Sequence, residues 1–201
     1  ADRLDPVGIT ISPDGRHVAF EVAPVGQKEE HYTGAIWIST DAESARQFTS
    51  GLTGDTAIAF APDSTRIAFL SDRHERKKQR LYVLPLNGGE AMRVGTVEGD
   101  LGKPAWSPDG TKIGILVTDP ETDEDKKKTE DRNDPIVDDQ DLKYTRLFVI
   151  DVASGKTLQL TYGNLNILAF AWNLDGARIA VITSKRIDAE GEYQNKTYRW
   201  S

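Results

Sequence analysis

Four aspartates head the residues whose type and spacing could support chemistry, and they come in near-copies of one phrase. Ile11-Ser12-Pro13-Asp14-Gly15, Ala61-Pro62-Asp63-Ser64, Ser107-Pro108-Asp109-Gly110 and Asn173-Leu174-Asp175-Gly176 each lead into a short apolar run. A carboxylate beside a hydroxyl is raw material for acid–base work. A reaction centre has no reason to be written four times, whereas a structural joint does. In Ser-Pro-Asp-Gly the proline presets φ, the aspartate bonds back to the backbone and the glycine accepts the positive φ that lets the chain re-enter a hairpin. Asp14, Asp63, Asp109 and Asp175 are therefore turn residues. Ser64 replaces the glycine and Leu174 the proline in two copies, so those joints are expected to be slightly strained or differently shaped.

The other candidates are weaker. Ala153-Ser154-Gly155-Lys156-Thr157 invites comparison with a phosphate loop, but that motif needs a glycine five residues before Gly155, where Ile150 stands, and the segment joins two strands. His17, His31 and His74 lack ligand-like spacing and read as surface histidines. Asp119, Asp123 and Asp125 lie close together but lack the regular ligand spacing and the glycine of a calcium loop, and Lys126 to Lys128 follow directly. There is no Gly-x-Ser-x-Gly, no Ser-x-x-Lys pair and no cysteine, which removes a nucleophile elbow, disulfides, thiolate metal sites and a cysteine nucleophile. Asn195-Lys196-Thr197 matches a glycosylation acceptor but carries little weight without secretory signs. The residues thus nominate no catalytic side chain, no metal site and no cofactor.

Composition sets the outer limits. The chain has 201 residues, 38% hydrophobic and 28% charged, with a net charge of -7, enough for one good core or two small ones. The acidic balance argues against a nucleic-acid surface, and no apolar run is long enough to span a membrane. The absence of cysteine suits a cytoplasmic location and leaves a periplasmic or secreted one open. No charged-then-apolar leader opens the sequence, although a mature chain could have lost one. Most of the net charge sits between Asp119 and Lys143, where 11 acidic residues outweigh 5 basic ones; this stretch reads as a solvated excursion between two strands. Ser71 to Arg80 is a basic counterpart, read as a solvated hairpin tip, with a rim that holds acidic or carboxylate groups as its functional alternative.

Behind these residues stands a repeat. Ser12, Ala61, Ser107 and Asn173 are 49, 46 and 66 residues apart, and removing the charged stretch brings the third spacing close to the others. A period of 40 to 50 residues is that of four-stranded propeller blades. After each joint come "HVAFEV", "RIAFLS", "KIGILV" and "RIAVIT", apolar on both faces as in a sheet packed between two neighbours. Their small residues, Ala19, Ala68, Gly114 and Ala180, mark the expected close approach of the adjacent blade. "AIWIST", "LYVLPL" and "LFVIDV" supply the next strand. Phe48, Val94 and Leu160 then follow Trp37, Tyr82 and Phe148 by 11 or 12 residues. The expected fold class is all-β: a β-propeller segment of about three and a half four-stranded antiparallel blades, part of a larger ring. The blades are placed at about 7–50, 55–96, 102–162 with the charged insertion 119–143, and a fourth beginning at 166–201. An unclosed stack leaves exposed sheet edges and an uncovered apolar face, so the chain is expected to be a fragment or one partner of a complex supplying the missing blades.

The stretches "LSDRHERKKQRLYVLPLNGGEAMRV", "GKPAWSPDGTKIGIL", "RLDPVGITISPDGRHVAFEV" and "DPIVDDQDLKYTRLFVIDVASGKTLQLTYG" together resemble the propeller of the prolyl oligopeptidase family of serine peptidases, especially its acylaminoacyl-peptidase and dipeptidyl-peptidase-like branches. The similarity covers essentially the whole chain, although Ser-Pro-Asp-Gly alone is shared by many propellers. The resemblance implies a seven- or eight-bladed propeller capping an α/β-hydrolase domain, and restricted access that admits short peptides to the serine. Its partners are then the remainder of the same polypeptide and short peptide substrates, with a homo-oligomer open and neither nucleic acid nor membrane involved. The nucleophile, base and oxyanion donors would lie beyond Ser201, and no catalytic residue carries over. Two other classes share the joint: TolB-like periplasmic binding modules without catalysis, and propeller lyases acting on pectin fragments, whose histidine cluster around a metal the three scattered histidines match poorly.

Overall fold

Each of the four aspartate phrases forms the tip of a hairpin in the computed structural model, which describes residues 4–24, 33–119, 143–184 and 193–199. In all four, the fourth residue's N–H donates to the first residue's carbonyl: Gly15 to Ser12, Ser64 to Ala61, Gly110 to Ser107 (each 2.9 Å) and Gly176 to Asn173 (3.1 Å). The fourth residue is left-handed throughout, with φ of 74° at Gly15, 57° at Ser64, 68° at Gly110 and 70° at Gly176. Ser64 thus takes the strained conformation its sequence position implies. The Asn173-Leu174 joint corrects the expectation of a different shape. Leucine can take the backbone angle that proline presets, and the Asn173 side-chain carbonyl accepts the Arg178 N–H at 2.9 Å, as the Ser12 hydroxyl accepts that of His17 at 2.9 Å.

These hairpins open four antiparallel sheets. The first holds β1 (Leu4–Ile11), β2 (His17–Pro24), β3 (Ala35–Thr40) and β4 (Arg46–Gln47). The second holds β5 (Thr56–Phe60), β6 (Arg66–Ser71), β7 (Arg80–Pro85) and β8 (Met92–Arg93). The third holds β9 (Asp100–Leu101), β10 (Ala105–Trp106), β11 (Lys112–Thr118), β12 (Thr145–Asp151) and β13 (Thr157–Gln159). In the fourth, β14 (Asn166–Trp172), β15 (Arg178–Ser184) and β16 (Tyr193–Arg199) pair in that order. The third sheet departs from the four-strand pattern because its inner strand is split. Pro104 has no N–H to give to the ladder, so β9 and β10 pair with β11 on either side of the Gly102-Lys103-Pro104 break.

The register repeats from sheet to sheet. Thr10 faces Ala19, Ala59 faces Ala68, Ala105 faces Gly114 and Ala171 faces Ala180. Trp37, Tyr82 and Phe148 pair with Gln47, Arg93 and Gln159, and the next residues out, Phe48, Val94 and Leu160, donate to Ile36, Leu81 and Leu147. Inner strands of successive sheets lie side by side, β1 by β5 and β5 by β10. This is the radial arrangement of an open β-propeller. Among the described residues there is no helix, hence none long and apolar enough to cross a membrane.

Alternation along the strands sends successive residues to opposite neighbours. Ile67, Phe69, Tyr82 and Leu84 join Ile36 and Ile38 in a core between the first and second sheets. Ala68, Leu70, Leu81 and Val83 join Trp106, Ile113 and Ile115 between the second and third. Leu147 and Val149 join Ile167, Ile179 and Val181 between the third and fourth. The two ends of the stack are different. On β15 Ile179 and Val181 are buried while Ala180 and Ile182 are exposed, and on β1 Ile9 and Ile11 are 73% and 61% exposed.

Candidate functional site

Hydrogen bonding decides what each candidate aspartate can do. Asp109 accepts from the Ser107 hydroxyl (2.6 Å) and the Thr111 N–H (3.0 Å), bonds that lower its pKa from 3.8 to about 2. Asp14 accepts from the Ser12 hydroxyl at 2.5 Å and the Arg16 N–H at 3.0 Å, and its pKa is lowered for the same reasons. A carboxylate held ionised at a turn is a poor general acid or base near neutrality. Asp63 and Asp175 bond to Thr65 and Ala177 two residues on. The four are spread over four sheets and form no common cluster.

Two of the remaining candidates are likewise held by neighbours. Ser154 bonds to Asp151 and Gly155 (φ 69°) ends the β12–β13 turn, so this segment does not open a helix as a phosphate loop does. The His17 ring pairs with the Thr40 hydroxyl at 3.0 Å and stacks on Phe60, while His74 is exposed on the basic hairpin. His31, Asp123, Asp125 and Lys126 to Lys128 lie outside the described residues, as do the side chains of Asn195 to Thr197. Among the described residues no group of three or more histidine, aspartate or glutamate side chains is placed to hold a metal.

Two polar nodes escape the motifs altogether. Asp55 is fully buried and gathers the Ser71 hydroxyl at 2.5 Å, the Thr53 hydroxyl at 3.0 Å and the Arg73 guanidinium at 3.3 Å. Arg73 lies over the rings of Phe69 and Tyr82, 5.0 and 4.8 Å from their centroids. Asp72 accepts from the Gly54 and Lys77 N–H groups. The base of the basic hairpin is therefore held by Asp55, Asp72 and the pairing of Arg80 with Glu98, and its tip, His74 to Lys78, is exposed and carries the Lys78–Glu75 pair. The second node is Glu21 of β2, which crosses to the second sheet and accepts the Ala57 N–H at 2.7 Å. Ala57 (φ 57°) sits in the bulge of β5. Burial pushes the Glu21 carboxyl up from its ordinary value against the pull of the Ala57 and Ile58 amides. The spacing of Asp55 to Ser71 and Arg73, 16 and 18 residues, and of Glu21 to Ala57, 36 residues, is too long to give a local sequence signal.

Shallow grooves lie among the described residues. One, of about 360 Å³, lies on the outer side between Phe48, Thr49 and Ser50 of the first sheet and Arg73, Leu84 and Ala91 of the second. Another, of about 390 Å³, runs along the inner strands beside Ile11, Phe60, Lys103 and Trp106. The hydroxyls of Ser12, Ser71, Ser107 and Ser154 each donate to a carboxylate, and not to a histidine.

No protein-family profile matches the chain. Against curated proteins it is 33% identical over 165 residues to the uncharacterized peptidase YuxL of Bacillus subtilis (strain 168), a match covering 75% of this chain and 25% of that one. The chain thus spans about a quarter of the length of that relative. Among solved structures, the uncomplexed acylaminoacyl peptidase of Pyrococcus horikoshii superposes with a TM-score of 0.70 at 15% identity, over 98% of this chain and 31% of that one. TolB of Acinetobacter baumannii gives 0.62 at 17% identity, over 98% and 41%. The β-propeller domain of the Trilobed protease from Pyrococcus furiosus, described as having an open velcro topology, gives 0.58 at 16% identity, over 96% and 55%. At these identities the solved structures establish the fold.

Proposed function

We propose a function from one premise: the chain is a segment of a β-propeller of the kind carried by peptidases of the prolyl oligopeptidase family. In this reading the parent protein is a serine peptidase acting on short peptides. The propeller gates access to an α/β-hydrolase domain elsewhere in the polypeptide, and residues 1–201 perform no bond cleavage themselves. The observation that carries it is the 33% identity to a curated peptidase over three quarters of the chain. It is supported by the hydroxyls of Ser12, Ser71, Ser107 and Ser154, which donate to carboxylates and not to a histidine, whereas the Ser, His and Asp of such an enzyme must sit within hydrogen-bond reach of one another.

The charged stretch 119–143 and the Ser71 to Arg80 hairpin leave their sheets from corresponding β-hairpins, β11–β12 and β6–β7, and so from the same rim of the ring. In the proposed enzyme that rim contributes to the entrance. The experiment is to measure hydrolysis of a ladder of peptides of increasing length by the full-length parent and by its variant lacking residues 121–134. A shift in the length cut-off supports gating, and an unchanged profile counts against it. A TolB-like binding module is the second reading, favoured by the TolB superposition; a parent without a Gly-x-Ser-x-Gly segment and without peptidase activity would select it. The location proposed for the parent is cytoplasmic.

A further inference from the structure

We propose that Asn87, at the tip of the β7–β8 hairpin, is a site of self-modification, where the Gly88 backbone nitrogen displaces the side-chain amide and leaves an aspartyl or isoaspartyl residue. The reaction needs an asparagine side chain free to turn onto a following nitrogen that nothing shields. Asn87 is the chain's only asparagine followed by glycine. It is exposed, and among the described residues its side chain makes no hydrogen bond. The Gly88 N–H reaches the Pro85 carbonyl at 3.4 Å, beyond the usual range of such bonds. Apart from their chain neighbours, Gly88 and Gly89 have no atom within 4 Å of where a Cβ would stand, so the tip can rearrange without a collision.

Three Asp-Gly steps could undergo the related isomerisation, Asp14-Gly15, Asp109-Gly110 and Asp175-Gly176 of the joints, and all three are guarded. The Gly15 and Gly110 N–H groups donate at 2.9 Å and that of Gly176 at 3.1 Å, inside the usual range, so the attacking nitrogen is already committed. The carboxylates are held as well. Asp14 accepts from the Ser12 hydroxyl and the Arg16 N–H, Asp109 from the Ser107 hydroxyl and the Thr111 N–H, and Asp175 from the Ala177 N–H at 2.7 Å. Ring closure on a carboxyl expels hydroxide and needs that group neutral, whereas the bonds to Asp109 hold its pKa down to about 2. The step that is locked in the joints is open at Asn87.

The chemistry consumes water and releases ammonia without any oxidation. The Gly88 nitrogen gives its proton to solvent base and adds to Asn87 Cγ; the N–Cγ bond forms, the Cγ–Nδ2 bond breaks, and the amide leaves as ammonia with a proton from water. Water then opens the cyclic imide. Cleavage at Cγ gives aspartate, and cleavage at the backbone carbonyl gives isoaspartate, with the chain now running through Cγ. Either product turns a neutral amide into a carboxylate, three residues from Glu90 on the stretch whose Gly89, Glu90 and Ala91 line the outer groove. The isoaspartyl form also inserts a carbon into the link to β8, which is held to β7 through the pairs Tyr82–Arg93 and Val83–Met92. The inference does not depend on the peptidase reading.

The full-length parent and its Asn87→Gln variant are incubated in mildly alkaline buffer, once folded and once in guanidinium chloride. The tryptic peptide 81–93 and the peptides that hold the joints are then read by mass spectrometry, with electron-transfer fragmentation to separate isoaspartate from aspartate. The expected result is loss of the Asn87 amide, a shift of one negative charge, at a rate that rises with pH and differs little between folded and unfolded protein. The joints gain isoaspartate only in the denaturant, and the glutamine variant, which must close a larger ring, keeps its amide. An Asn87 amide that survives in the folded protein, joints that isomerise as readily folded as unfolded, or a glutamine variant converted as fast as wild type would each overturn the proposal.

Discussion

The indole nitrogen of Trp172 donates to the carbonyl of Ala105 at 3.1 Å, and one sheet earlier Trp106 makes the same bond to Ala59 at 3.1 Å. These bonds tie inner strand to inner strand across the gap between blades, where no ladder bond can reach. Trp106→Phe keeps most of the apolar surface but removes this part-buried hydrogen bond to the Ala59 carbonyl, at a cost of about 1 kcal/mol. Denaturant titration should show a lower midpoint with an unchanged slope, and Trp172→Phe should follow the same course.

Gly114 is a point of close approach between the third and fourth sheets. Adding one methyl there drives it into Phe170, 2.6 Å from the ideal Cβ, so Gly114→Ala should cost about 1–3 kcal/mol by overpacking. Ala180→Gly, at the equivalent exposed position, removes nothing that packs against another sheet and should lower the midpoint far less. Equal losses in the two variants would contradict the radial stacking of the third and fourth sheets.

Ser64 stands where the other joints carry glycine, and its hydroxyl accepts the Asp14 N–H of the preceding sheet at 3.1 Å. Left-handed strain of roughly 1 kcal/mol is thus set against one inter-sheet hydrogen bond of about 1 kcal/mol. Ser64→Ala keeps the strain and loses the bond, so it should be destabilising. Ser64→Gly loses both and should lie close to wild type. Thermal unfolding of the pair separates the two contributions.

Much of this architecture is legible in the residues. The proline, aspartate and glycine of each joint act within four positions, and the strand register is copied from sheet to sheet, so turn and pairing alike are local signals. The small residue at Gly114 announces a close neighbour before that neighbour is known. What the residues do not announce is any contact that joins polar groups far apart in the sequence. Ser64 reads as a lapse from glycine until Asp14 is seen above it. Glu21 gives no sign that it will reach Ala57, and Asp55 none that Ser71 and Arg73 will close over it. The joint at Leu174 goes the other way, since its departure from proline changes nothing in the turn that Asn173 and Gly176 make.

Two carboxyls should give stability opposite pH slopes. Asp109, drawn down from 3.8 to about 2 by Ser107 and Thr111, binds fewer protons folded than unfolded between those values. Its contribution is complete above 3.8 and is lost as pH falls toward 2. Glu21 is raised above 4.5 by burial, so its contribution is present in acid and lost as pH rises through the folded value. Asp109→Asn should flatten the acid limb of a stability profile. Glu21→Gln keeps an oxygen for the Ala57 N–H and should be no less stable than wild type at neutral pH, the two converging in acid.

That residues 1–201 form a wall rather than a reaction centre is tested most directly with a fluorophosphonate probe, which labels activated serines. The purified chain is treated with the probe, digested and read by mass spectrometry, with turnover of acyl- and dipeptidyl-chromogenic substrates followed in parallel. The expected result is no adduct on any serine and no turnover; a stoichiometric adduct on one serine, or measurable hydrolysis by the chain alone, would contradict it.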